Sequence, residues 1–379
     1  MRNFVRGRFG LGHAAALVGG LLLAIISLSA IFGETAVVVA SGGGGAAQDR
    51  PVNILPDGGG TMPALPLDEI TDEQRAAIKV DLAASIERLE REGKLPPARP
   101  EVVALSWPLQ KAASASDFAV DAISNFVDQN PAFPNQLQDW NCGMRTYDTS
   151  GGYNHAGIDI FTWPFGWKKL DDNSAEIVAA APGTIILKSD GNFDRNCTFN
   201  SSNWNAVYVR HSDNSVAWYG HMKKNSLTTK PVGATVALGE KLGIVGSSGN
   251  STGPHLHFEL YNAAGQLQDA YQGACNTMNN FTWWAIQPAY DIPRVNNLMT
   301  HSAAMSFPTC PSTTEVVNEK SSFRSGQSVI TAAYYRDQPG GVSTQYSIIQ
   351  PNGAVFQSWS HASPQTYVAS YWYWTRTLP

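Results

Sequence analysis

The sequence predicts a mainly β protein of more than one domain, with a helical segment ahead of a strand-rich unit and a small β-sandwich behind it. Three observations carry this. From Leu105 to about Pro308, β-type runs such as EIVAAAPGTIILKSDG, NAVYVRHSDNSVAWYGHM, KLGIVGSSG and HLHFELYN are separated by Gly, Asn, Asp and Pro. Residues 316–379 continue with SVITAAYY, TQYSIIQPNGAVFQSWS and TYVASYWYW, hinged at a Pro-Asn-Gly turn. At 379 residues with 43 % hydrophobic content, the chain exceeds one compact core and suits about two to three units.

The N-terminal elements follow in order. Arg2, Arg6 and Arg8 precede a largely apolar stretch from Ala14 to Phe32, so residues 1–40 read as an export signal. Membrane contact is then expected only through that stretch if it stays uncleaved, and the protein is expected to be secreted, periplasmic or in the cell envelope. Residues 41–66 are rich in Gly and Pro and read as a linker without a core. Thr71-Asp72-Glu73-Gln74 is a capping-box pattern leading into Ile78, Leu82, Ile86 and Leu89 at helical spacing, with Gly93 and Pro96-Pro97 as the stop. One amphipathic helix is therefore expected within 67–104, its apolar stripe laid on the following domain. A second, weaker helix is expected over Ser116–Val127. The strand-rich domain spans 105–310, and because the chain stops just after a strand, the sandwich of 316–379 is expected to be truncated.

Charge and cysteines narrow the function classes. A net charge of −5 without a long Lys/Arg run supplies no basic field, so no nucleic-acid partner is expected. Cys142, Cys197, Cys275 and Cys310 form no CxxC pair, which argues against a thiolate metal site, and export favours disulfides. The expected pairs are Cys142–Cys197, flanking one part of the strand-rich domain, and Cys275–Cys310, bracketing its exit.

Of eight histidines, His155, His211, His221, His255 and His257 fall in the strand-rich domain. In GGYNHAGIDI an extended chain points His155 and Asp159 to one side and Ile158 and Ile160 to the other, and Gly157 between them leaves room for an ion or a substrate backbone. In GPHLHFEL, alternation with Leu256, Phe258 and Leu260 puts His255 and His257 on one polar face. Together these supply three zinc ligands with one histidine to spare, and three protein ligands with an open fourth position define a catalytic zinc. His221, in WYGHM, completes the group. A lone strand histidine is a ligand only about one time in ten, and HxH recurs by chance; the ordered set HxxxD, aromatic-Gly-His and GNSTGPHLHFE has little structural reason to arise. His211 precedes a turn and reads as structural, and His13, His301 and His361 are assigned no role.

NHAGIDI, AWYGHM, SSGNSTGPHLHFEL and the hairpin-like AAAPGTIILKSDG resemble the lysostaphin/LytM-type zinc endopeptidases over about Leu105 to Leu260. The resemblance implies an antiparallel β core with a groove, one zinc per chain held by His155, Asp159 and His257, and His221 and His255 beside the metal as proton-handling catalytic residues. With no HExxH glutamate present, proton work falls to histidine. Glu259, roughly 6.6 Å further along the strand than His257, is expected to support a ligand ring. The implied substrate is a stem peptide or cross-bridge of peptidoglycan; the alternatives are a Gly-rich polymer such as elastin and a non-catalytic wall-binding or amidase-activating protein. The insertion Phe193–Trp204 and the aromatic stretch Phe281–Ile286 depart from the shortest members and are expected to reshape the groove. Residues up to about Pro100 are expected to form a prosegment over that groove, and the aromatic run Tyr367–Trp374 is read as sandwich core ahead of a carbohydrate-binding face.

Overall fold

A computed structural model describes residues 53–378 and, ahead of them, Ile25–Ser29 as a strand. The rest of the expected export signal, the linker up to residue 52, and His13 lie outside the described residues. The chain is mainly β, and every strand pairing within its sheets is antiparallel.

The central sheet runs, in spatial order, Thr235–Val236, Gly183–Ser189, Ala206–His211, Val216–Tyr219, His255–Tyr261, Ile158–Thr162 and Asp121–Asn125. Its sequence logic is alternation. Ile158, Ile160, Leu256, Phe258 and Leu260 enter the main core with Val207, Val209 and Tyr219, so Asp159, His255 and His257 face the opposite side. A small sheet of Leu109–Lys111, Ala175–Val178 and Lys241–Ile244 accompanies it. The stretch expected as a second helix is instead the edge strand Asp121–Asn125, because Ala122 and Ile123 are buried on opposite faces beside Ile158–Thr162, a pattern a helix cannot satisfy.

The expected N-terminal helix is α1, Asp72–Arg91, with the reciprocal Thr71–Gln74 capping box in place. Its Leu82 and Leu89 are buried, and Ile78 and Ile86 partly so, against Ile186, Tyr208, Trp218 and Tyr261 on the face of the central sheet that also bears the histidines. Each fully buried Leu contributes about 1.5–3 kcal/mol.

The glycine-rich stretch does not behave as a free linker. Gly58–Thr61 pairs with Ser370–Tyr373 at the edge of the sheet formed by Arg294–His301, Ser328–Gln338 and Tyr367–Thr377. Glycine is required there: a Cβ at Gly58 would lie 2.3 Å from the Tyr373 hydroxyl, and Gly59 has φ +131°. Arg294–His301 falls in the stretch expected within the catalytic domain, yet it pairs with Ser328–Gln338. A second layer of Ser343–Ile349 and Val355–Ala362 packs over Tyr335, Trp372 and Trp374 through Tyr346 and Trp359. Phe281–Ile286 also departs from expectation: Trp283 and Trp284 lie in the main core, with Trp284 stacked on Phe258 behind the sheet and away from the histidines.

Both disulfides pair differently from the expectation. Cys142 joins Cys275 and Cys197 joins Cys310, with Cα–Cα separations of 5.1 and 5.6 Å. Proximity comes from tertiary packing. Cys275 N donates to Trp140 O, and Arg195 reaches Thr313 beside the Cys310 segment. Replacing Cys142 and Cys275 with serine is expected to lower unfolding stability by about 2–5 kcal/mol; denaturant titration measures it, and a non-reducing peptide map identifies the pairs.

Candidate metal centre

His155, Asp159 and His257 converge on one point. Hydrogen-bonded neighbours in the sheet, Asp159 and His257 sit directly opposite each other, and His155 lies just before the same strand. His155 Nε2 is 3.1 Å from Asp159 Oδ1 and 3.3 Å from His257 Nδ1, and His257 Nδ1 is 3.0 Å from Asp159 Oδ1. A tetrahedron built on metal–ligand bonds of 2.0–2.1 Å has edges of about 3.3–3.4 Å, so the three atoms stand close to ligand spacing.

Each ring is oriented from behind. His155 Nδ1 donates to Phe126 O at 2.7 Å, His221 Nδ1 to Ser248 O at 2.5 Å, and His255 Nδ1 to Gly253 O at 2.8 Å. His257 is turned the other way, with Nε2 against Glu259 Oε1 at 2.8 Å. In all four rings the outer nitrogen is engaged by an oxygen acceptor, which leaves the inner nitrogen's lone pair for a cation or a proton. Arg75 of α1 bonds Glu259 Oε2 at 2.6 Å, and Tyr261 donates to the same oxygen. Burial would raise the Glu259 carboxyl, but the Arg75 charge and the His257 hydrogen bond outweigh it and hold its pKa to about 2. Asn125 Nδ2 donates to Asp159 Oδ2 at 3.0 Å.

Gly157 has a different job from the one expected of it. A Cβ there would lie 2.6 Å from the His257 ring, so the missing side chain makes room for the imidazole itself.

A third carboxylate enters from the N-terminal segment, and sequence reasoning missed it. Asp68, fully buried, places Oδ2 2.6 Å from His257 Nδ1, 2.9 Å from His221 Nε2 and 3.1 Å from His255 Nε2. Its Oδ1 accepts from the Tyr147 hydroxyl at 2.7 Å and the Tyr153 hydroxyl at 3.1 Å. Burial works against ionisation, yet His257, His221 and His255 together hold its carboxyl well below the usual range. Two overlapping donor sets result, Asp68–His155–Asp159–His257 and Asp68–His221–His255–His257, each with its ligand atoms within 4.8 Å of one another. Nitrogen and carboxylate oxygen donors of this kind suit zinc.

Among the described residues, the remaining histidines stand apart. His211 Nδ1 is held by Pro182 O and His301 Nδ1 by Val317 O, while His361 lies against Trp372. The insertion does reach the site: Trp204 sits edge-on to His221 with ring centroids 5.2 Å apart.

Residues 153–270 match the model of peptidase family M23. Among curated relatives, the peptidoglycan DD-endopeptidase ShyC of Vibrio cholerae is 35 % identical over 81 residues, 21 % of this chain and 18 % of that protein. The DD-carboxypeptidase/endopeptidase Mpg of Neisseria meningitidis is 44 % identical over 106 residues, 28 % of this chain and 19 % of that protein. The chain thus spans less than a fifth of the length of these two relatives. The catalytic domain of lysostaphin from Staphylococcus simulans is 26 % identical, covering 32 % of this chain and 78 % of that domain with a TM-score of 0.23. The matched stretch contains His155, Asp159, His221, His255 and His257 and excludes Asp68 and Arg75, so the part of the chain that is similar to peptidase family M23 is residues 153–270.

Proposed function

We propose that the protein is an exported zinc endopeptidase that hydrolyses peptide bonds in peptidoglycan stem peptides or cross-bridges, and that its N-terminal segment holds it latent. The carrying observation is the convergence of His155 Nε2, Asp159 Oδ1 and His257 Nδ1, each group anchored from behind, beside two further oriented imidazoles.

Zinc held by His155, Asp159 and His257 would lower the pKa of a bound water and polarise a peptide carbonyl. The protein's own groups divide the remaining work. His221 and His255 both aim Nε2 at the place where Asp68 Oδ2 now lies, so either can take a proton from a water there and return it to a leaving amine. Tyr147 and Tyr153 aim hydroxyls at the Asp68 Oδ1 position, 2.7 and 3.1 Å away, where a developing oxyanion would find donors already oriented. Substrate and Asp68 compete for one space, which makes residues 53–104 a prosegment.

The test uses the Asp68→Ala protein on purified peptidoglycan. New amino termini should appear, vanish with a chelator, and return with one equivalent of zinc. A protein that binds one zinc per chain and releases no fragment from peptidoglycan sinks the reading; cleavage confined to Gly-rich polypeptides such as elastin would move its substrate.

A further inference from the structure

The N-terminal segment lies across the site as an added strand. Thr252 N donates to Leu67 O at 2.9 Å, Leu67 N donates to Thr252 Oγ1 at 2.8 Å, and Glu69 N donates to Asn250 O at 3.2 Å. Asp68 is thereby bridged antiparallel to Ser251, whose own bridge to Thr198 ties it to the insertion. Asn200 N and Asn196 Nδ2 brace the same wall at Asn250 Oδ1 and Gly249 O, 2.7 and 2.8 Å away. Cys197–Cys310 staples that insertion to the C-terminal part of the chain. Two residues beyond Asp68, Ile70 is 4 % exposed and packs into a cluster with Ile186, Trp204 and Tyr208. A cavity of about 490 Å³ continues alongside, lined on the peptidase side by Leu187, Trp204, Tyr208, His221 and Asn250 and roofed by α1.

Resting on the peptidase reading above, we propose that this wall is a substrate subsite. An extended peptide pairs its backbone with Asn250 and Thr252, and an aliphatic side chain two residues from the one at the metal centre fills the pocket of Ile186, Trp204 and Tyr208. Three features point to a peptide as the occupant: a peptide is seated there, its backbone is held by the main chain at Asn250 and Thr252 and by the Thr252 hydroxyl, none of which reads a side chain, and the adjoining pocket selects by apolar fit. A protein built only for Gly-Gly bonds would have no use for an apolar pocket at that distance. The rings of Trp204 and His221 are near neighbours, so filling the pocket also fixes the peptide beside the proton-handling imidazole.

The full-length Asp68→Ala, Ile70→Gly protein empties both positions. With zinc bound, it is given a peptide library from a digested proteome, and mass spectrometry identifies the residues flanking each cut. The expected profile enriches Leu, Ile or Val over Gly by roughly tenfold or more at one position near the cleaved bond. Ile186→Ala and Trp204→Phe in the same background should each shrink that kcat/KM ratio. A profile flat at every such position, or one unchanged by both substitutions, overturns the subsite while the peptidase reading stands. If no peptide is cut, binding decides the subsite, and the peptidase reading rests on the peptidoglycan assay above. A synthetic peptide matching residues 63–73 should then bind at least tenfold more tightly than its counterpart with Gly at the Ile70 position; equal binding overturns the proposal.

Discussion

Replacing His221 with alanine is expected to lower turnover on peptidoglycan by roughly 10² to 10⁴ while zinc stays bound, the range a positioned acid/base group supplies. His221 Nε2 is 2.9 Å from Asp68 Oδ2, and its carbonyl anchor at Ser248 fixes the ring. His155→Ala, His257→Ala and Asp159→Ala should instead lose zinc and activity together. Each removes one corner of the triangle with edges of 3.0–3.3 Å. His255→Ala should follow His221→Ala, although its Nε2 lies 3.5 Å from Asp159 Oδ1, nearer that triangle than His221. Zinc per chain by elemental analysis, measured beside the cleavage rate, separates the cases. Loss of zinc in His255→Ala with retention in His155→Ala would move the metal to the Asp68–His221–His255–His257 set. Full activity in His221→Ala would remove that residue from the mechanism.

Asp68→Ala is expected to raise the activity of the full-length protein by roughly ten- to a hundredfold. One hydrogen bond to a charged group contributes about 1.5–3 kcal/mol, and the carboxylate engages three imidazoles on one oxygen and two tyrosine hydroxyls on the other. Much of that sum is offset by desolvation of a fully buried ion, so the net gain corresponds to about one such bond. The rest of the segment remains anchored by the Gly58–Thr61 strand, the Leu67–Thr252 pairing, and the Arg75–Glu259 ion pair. Asp68→Asn should activate less than Asp68→Ala, because an amide keeps the shape and one acceptor. Initial rates on labelled peptidoglycan measure both, and an Asp68→Ala protein no faster than the wild type would end the latency proposal.

What could be read from the linear chain was what short-range periodicity encodes. Period-two alternation assigned His255 and His257 to one face and Leu256, Phe258 and Leu260 to the core, and those residues lie so in the sheet. The Thr71–Gln74 box and the spacing of Leu82 and Leu89 marked α1 and its buried stripe for the same reason. The ordered spacing of HxxxD, Gly-His and HxH marked the cluster because two strands that pair directly need only one register to bring their histidines and aspartate together.

Tertiary structure decided everything that depends on residues far apart in sequence. Asp68 meets His221 and His255 across 153 and 187 residues, and nothing in PLDEIT distinguishes that aspartate from any acid ahead of a helix. Glycines 58–60 carry no side chain to announce a partner, and only the approach of Trp372 and Tyr373 turns a flexible composition into a docked strand. Asp121–Asn125 became a strand because a neighbouring edge was open to its backbone groups, a demand stronger than helical propensity. Cysteine pairing follows Cα proximity, which loop packing sets over separations of 133 and 113 residues and local spacing does not encode.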